Sequence, residues 1–168
     1  MSNPSLLFAI AGISMSFAGF ASLFLALRPH DSEWQRYEVA QLNAIVLFAL
    51  TALFSALLVV PIASLIGTPT ALRVMSAAVL VLALYEHEVK VGTSWLKWSQ
   101  VQGDLPRREF LLLITPFALV AFADQALLLI NIVSPTEALY ELALVTMLAT
   151  PAFVFVLAVA RFGSGGRR

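Results

Sequence analysis

The sequence contains no cysteine and little charge. The absence of cysteine among its 168 residues excludes disulfides, thiolate metal sites and cysteine nucleophiles. Only 12% of the residues are charged, whereas soluble domains carry about a quarter. Ten basic and ten acidic residues leave no net charge, so the composition indicates no nucleic-acid partner.

What the chain has in excess is apolar sequence. Hydrophobic residues make up 60% of it and fall into five apolar spans. Each span is long enough to cross about 30 Å of hydrocarbon at ~1.5 Å per residue. The sequence therefore predicts an all-α integral membrane protein, a single domain over residues 1–168 with five transmembrane helices. The predicted spans are residues 5–27, 41–66, 70–88, 110–133 and 136–160.

Helix-start signals support the first, third and fifth spans. Each of these spans opens with a polar residue followed by proline, which suits the first helical turn because its missing N–H is not needed there. Ser134 and Glu137 also have the spacing of a capping box. The three polar–proline pairs are Asn3-Pro4, Thr68-Pro69 and Ser134-Pro135.

The basic residues sort to one side of a five-span topology. Arg73 is the only basic residue near one side, and the other nine fall on the opposite side. Because Lys and Arg are retained in the cytoplasm, the N-terminus is predicted outside and the C-terminus inside. Residues 28–40 and 89–109 are then cytoplasmic segments, and residues 162–168 a flexible tail. The nine cytoplasmic basic residues are Arg28, Arg36, Lys90, Lys97, Arg107, Arg108, Arg161, Arg167 and Arg168.

One stretch resembles known proteins. The segment ISMSFAGFASLFLALR, followed by a polar segment with Trp34 and Arg36, resembles the start of small, uncharacterised bacterial polytopic membrane proteins. The similarity covers mainly the first third of the chain. It implies a location in a bacterial inner membrane, and it implies no activity and no site residues.

Small residues are concentrated in the first span. Ser14, Ala18 and Ser22 are four residues apart on one predicted face, and Gly12 with Ser16 forms a second pair at the same spacing, a pattern that lets two membrane helices approach closely. This face packs either within the monomer or against another subunit, and both alternatives stay open. The residues are Gly12, Ser14, Ser16, Ala18, Gly19 and Ser22.

A carboxyl group lies deep in the fourth span. Asp124 is nine residues from Val133, about 14 Å from that end, where a charge costs at least ~2.5 kcal/mol. Three interpretations remain open. The first is a polar clasp in which Asp124 or Glu141 pairs with Arg73; the second is an ion or proton site in a transport path; the third is a protonated Asp124 hydrogen-bonded to a backbone carbonyl. The expected intramembrane polar cluster comprises Asp124, Arg73, Glu141, Gln125 and Asn131.

Two prolines are predicted to kink the fourth and fifth helices. Pro116 and Pro151 each follow a threonine, and each removes one backbone hydrogen bond from its helix. Kinked helices beside an acid fit a transport path, and they equally fit ordinary membrane helices. The sequence shows no convincing catalytic motif or phosphate loop, and its two histidines do not support a metal site.

Two function classes follow. The first is a non-enzymatic, self-associating channel or transporter subunit that uses Asp124, Glu141 and Arg73 along a path. The second is an accessory or assembly subunit that packs beside a larger membrane complex through the first span. Besides lipid, the expected partners are copies of the chain or other membrane subunits, and no cofactor is expected.

Overall fold

The protein is all-α. A computed structural model describes residues 4–27, 36–85 and 107–165, although not every side chain within them. The described residues form five helices, which we number in chain order. They are α1 (Ser5–Leu27), α2 (Arg36–Ile66), α3 (Thr68–Leu84), α4 (Arg107–Val133) and α5 (Glu137–Gly165).

Three of these helices contain segments long and apolar enough to cross a membrane: Ser5–Leu23, Leu42–Ile66 and Glu137–Val156. Two shorter apolar segments, Thr68–Leu84 and Ala118–Val133, occupy α3 and α4. An α-helix suits such sequences because it satisfies every internal backbone donor and acceptor within one segment. The expectation of an all-α, membrane-compatible protein is confirmed at this level.

The helices form a four-membered ring with one helix outside it. Helix α2 packs on α3, α3 on α4, α4 on α5, and α5 returns to α2, while α1 packs against α2 and α5. The α2–α3 and α4–α5 connections are short, so these pairs are antiparallel and both turns lie at one end of the bundle. We call this end the turn end; its connections are Gly67 and residues 134–136.

Aliphatic residues fill the centre of the bundle. Leu7, Val59, Leu72, Leu128 and Leu144 are fully or almost fully buried, one from each helix. Large apolar residues also cover the outside of the bundle, among them Phe8, Leu65 and Phe122.

The first helix is held by aromatic contacts. Phe155 of α5 lies with its ring centroid 6.4 Å from that of Phe17 and 5.6 Å from that of Phe20. These contacts place α1 in the groove between α2 and α5.

The N-cap residues of α3 and α5, at the turn end, differ by one or two positions from the predicted ones. Gly67, with φ of 83°, precedes α3, so Thr68 is the first helical residue and not the cap. At the start of α5 the cap is Thr136, whose Oγ1 accepts a hydrogen bond from the Leu139 N–H at 3.2 Å. The helix starts at Glu137, so the capping position falls on Thr136 and not on Ser134.

The helix bounds are otherwise close to the predicted spans. Helix α2 begins five residues before its predicted span, and α5 continues to Gly165, four residues into the segment predicted as a flexible tail. The remainder of the two predicted cytoplasmic segments, 28–35 and 89–106, lies outside the described residues. So do residues 86–88 of the third predicted span and the last three residues of the tail.

Candidate functional site

The candidate site lies on the inward face of α4. Ala121, Asp124, Leu128 and Asn131 are all buried and recur at spacings of three and four residues, so they form one stripe along the helix. Two of these four side chains are polar, and both are on a helix predicted to cross the membrane.

Asn131 is the centre of a polar junction near the turn end. Its Nδ2 donates a hydrogen bond to Ser76 Oγ at 2.8 Å, and its Oδ1 accepts one from the Thr136 N–H at 2.8 Å. The junction joins α3 to α4 and closes the turn between α4 and α5. It therefore sets the height of these helices relative to one another.

A second polar contact joins α5 to α2. The hydroxyl of Tyr140, fully buried, donates a hydrogen bond to the Ser55 carbonyl oxygen at 3.0 Å. A buried tyrosine needs such a partner because an unpaired hydroxyl in an apolar interior is costly. Both polar contacts are therefore structural features that hold the ring together.

Asp124 differs from these residues, because one of its two carboxyl oxygens is buried without a hydrogen-bond partner. Its side chain is 3% exposed, and Oδ1 is enclosed and has no hydrogen-bond partner among the described residues. Asp124 is also the only carboxyl among the buried polar side chains that the structure describes. A carboxyl in this position must either hold a proton or, when ionised, be compensated by a cation or by water.

The polar junction fixes which residues of α3 and α5 lie at the height of Asp124. Asp124 lies seven residues from Asn131, and Ala83 lies seven residues from Ser76 in the antiparallel neighbour, so the two are at the same height. Both are about 11 Å from the junction. Counted in the same way from Thr136, Ala143 of α5 is level with them. Ala83 and Ala143 are completely buried.

The expected pairing of Asp124 with Arg73 is absent from the described residues. Arg73 is exposed, and it lies on the turn side of Ser76, whereas Asp124 lies on the other side of Asn131. Arg73 lies three residues from Ser76 toward the turn end, and Asp124 lies seven residues from Asn131 in the opposite direction. These ten residues separate Arg73 from Asp124 by about 15 Å along the bundle. This distance exceeds the reach of an arginine side chain.

The remaining members of the expected polar cluster are also dispersed. Glu141 is half-buried in the second turn of α5, and Gln125 is half-buried on the flank of α4. Asn131 is engaged in the polar junction. The five residues thus do not form one cluster among the described side chains.

The small residues of α1 divide between two faces. Ser14 is completely buried against the bundle, Ala18 is half-buried, and Ser22 is exposed. A strict four-residue spacing drifts around a helix of 3.6 residues per turn, so one row cannot stay inward. The buried row instead comprises Leu7, Ile10, Ala11, Ser14 and Ala21.

Gly12, Ser16 and Gly19 lie on the outer face of α1. All three are exposed, and a Cβ added at either glycine would meet no described atom within 4 Å. The hydroxyl of Ser16 donates to the Gly12 carbonyl oxygen in its own helix at 2.9 Å. This face is smooth and makes no packing contact at the two glycines within the described chain.

Proline occurs inside three helices. Pro151 is buried in α5, where it removes the hydrogen bond to the Met147 carbonyl, four residues earlier. Pro116 lies within the bounds of α4, but its side chain is outside the described residues. Pro61 lies inside α2 and is exposed. Pro61 lies twenty residues after the start of the predicted span 41–66, and a proline at that depth in an apolar span is a visible signal for a kink.

Sequence reasoning also missed the partners of Asn131 and Tyr140. Ser55 and Ser76 are common residue types in membrane helices, and nothing in the sequence pairs them with a residue more than fifty positions away. Tyr140 was the one available signal, because a tyrosine within an apolar span needs a polar partner. Among the described residues, no group of three or more His, Asp or Glu side chains is arranged to hold a metal ion.

No protein-family model, curated protein or solved structure matches the chain significantly. Function is therefore inferred from the chain's own residues.

Proposed function

We propose that the protein is a non-enzymatic transport subunit of a bacterial inner membrane and that Asp124 is its ion- or proton-binding residue. The observation that carries this proposal is the enclosed, unpartnered Oδ1 of Asp124 in the centre of the bundle. Ionisable residues inside membrane proteins are expensive, and they usually mark ion or proton pathways. A clasp with Arg73 would have offered a structural reason for the carboxyl, and the register of α3 and α4 opposes it.

The proposal includes a topology. All five helices cross the membrane, the N-terminus and the turn end are outside, and the C-terminus is cytoplasmic. The distribution of nine basic residues against one supports this orientation. Tags at both termini, probed in intact cells, test it: only the N-terminal tag should be accessible from outside, and two accessible tags would contradict the topology.

Transport by five helices favours self-association. A ring of four helices whose centre is filled by aliphatic side chains leaves little room for an aqueous path within one chain. We therefore propose that copies of the chain assemble and that the path opens when the ring around Asp124 rearranges.

The function is tested by flux in vesicles that contain the purified protein. Gradients of protons, sodium and potassium are imposed in turn, and their dissipation is followed with ion-sensitive dyes. We expect the wild-type protein to dissipate at least one gradient and Asp124→Asn to abolish this flux. Glu141→Gln is the matched control, since it removes a half-buried carboxyl on another side of α5 from Ala143 and should leave flux intact. Wild-type vesicles as tight as empty ones would contradict the proposal.

A second function is supported by the outer face of α1. Gly12, Ser16 and Gly19 form an open surface on which another helix could approach closely. An accessory subunit would use this face to pack beside a larger complex. Purification from the native membrane distinguishes the two: an assembly of copies favours transport, and co-purification of other subunits, lost in Gly19→Leu, favours the accessory role.

A further inference from the structure

We propose that the ligand of Asp124 is a proton and not a metal cation. This inference rests on the proposed function. It names the chemical class of the ligand that Asp124 would bind during transport. It is supported by the side chains at the height of Asp124 and by the absence of a charged partner among the described residues.

No hydroxyl or amide group among the described residues is hydrogen-bonded to Asp124 Oδ1. The junction register places Ala83 of α3 and Ala143 of α5 at its height, and on its own helix Ala121 and Leu128 are the buried neighbours one turn away. None of these side chains carries a ligand atom. A dehydrated metal cation needs several oxygens to replace its hydration shell, whereas a proton needs only the carboxyl itself.

Backbone carbonyl oxygens are also scarce as metal ligands. In a helix each carbonyl is normally engaged by the N–H four residues later, so few are available as ligands. Pro151 has no N–H and releases the Met147 carbonyl, which lies one turn beyond Ala143, about 6 Å further along the helix. One such carbonyl can accept a single hydrogen bond, but it cannot complete the coordination of a metal ion.

A compensating charge is also absent among the described side chains. Helices α3 and α5 pack against α4, and none of their described ionisable side chains is bonded to Asp124 Oδ1. On α3, Arg73 and Tyr85 are exposed. On α5, Glu137 and Glu141 occupy the first two turns, and the Tyr140 hydroxyl is bonded to Ser55. Residues 42–66 of α2 contain no ionisable side chain.

Infrared spectroscopy of the full-length protein in lipid tests the proposal without requiring transport. A protonated carboxyl has a C=O stretch separate from the bands of carboxylate and amide groups, and carbon-13 in the aspartate carboxyl shifts that band. We expect this band in the wild-type protein at neutral pH, its complete loss in Asp124→Asn, and its retention in Glu141→Gln. Sodium or potassium chloride should leave the band unchanged.

Two results would overturn the proposal. The first is a wild-type spectrum that contains no protonated-aspartate band, or one whose band remains in Asp124→Asn. The other is a band that sodium or potassium abolishes, because it would mean that a metal cation displaces the proton.

A second measurement covers the case in which Asp124→Asn folds poorly. A cation that binds the native protein raises its melting temperature by mass action. We expect sodium and potassium chloride to shift the wild-type Tm no more than choline chloride does. A shift specific to one metal cation would contradict the proposal.

The infrared experiment tests proton binding and the flux experiment tests transport, so one proposal can be contradicted while the other stands. The Asp124 band in vesicles that show no flux would leave proton binding intact and refute transport. Flux of sodium or potassium, with no Asp124 band, would support transport and refute the proton as ligand.

Discussion

Replacing Asn131 should weaken the bundle more than any other polar substitution at the turn end. In Asn131→Ala two hydrogen bonds of 2.8 Å are lost, one to Ser76 Oγ and one from the Thr136 N–H. Hydrogen bonds between membrane helices contribute ~0.6 kcal/mol on average. An unpaired backbone N–H costs about 1–3 kcal/mol, and the exposure of Thr136 to its surroundings favours the lower value. With the lost packing of a fully buried side chain, the total is about 2 kcal/mol.

The assay is reversible unfolding in detergent micelles, followed by circular dichroism, for Asn131→Ala, Ser76→Ala and the double variant. Ser76 can turn its hydroxyl to a carbonyl of its own helix, so the single Ser76 substitution should cost less than Asn131→Ala. The double variant should be more stable than the sum of the two single effects predicts, by ~0.6 kcal/mol or more. Ser16→Ala, on an exposed face with its hydroxyl bonded within α1, is the control and should change stability little. Additive effects, or an Asn131→Ala cost no larger than that of Ser16→Ala, would refute the role of this junction in setting the helix register.

Three further substitutions separate core from surface. Tyr140→Phe should cost about 1 kcal/mol in the same unfolding assay, because it removes the hydrogen bond to the Ser55 carbonyl; an unchanged stability would contradict that bond. Leu7→Ala, at a fully buried position of α1, should cost about 2–5 kcal/mol, whereas Phe8→Ala on the exposed face should cost much less; equal costs would contradict the orientation of α1. Gly19→Leu should leave monomer stability unchanged and weaken any assembly formed through the outer face of α1, as measured by mass in detergent; a destabilised monomer would contradict the open space at Gly19.

The helices could be predicted from the sequence because hydropathy and length are local properties. Span 5–27 coincides with α1, and the fourth span ends at Val133 as α4 does. Cap positions were less predictable, since they depend on tertiary contacts. Thr136 caps α5 while its own N–H is held by Asn131, an interaction that a polar–proline pair at Ser134 does not reveal.

The contacts between helices could not be predicted from the sequence, since they depend on register. Arg73 and Asp124 look like partners when depth is counted from the ends of their helices. The Ser76–Asn131 hydrogen bond shows the actual register of α3 against α4, in which Arg73 and Asp124 lie about 15 Å apart. The depth of Asp124 within its own span, in contrast, is a local quantity that can be counted from the sequence, and the cost of a charge at that depth in a membrane is a physical reason for the burial of its side chain.

The most direct test of a working role for Asp124 measures stability and flux on the same preparation of Asp124→Asn. A protonated carboxyl and an amide are similar in size and neither is charged. The account therefore predicts a melting temperature close to that of the wild-type protein together with complete loss of proton flux in vesicles. A variant that loses several kcal/mol of stability while proton flux continues would contradict it, because Asp124 would then be a structural residue.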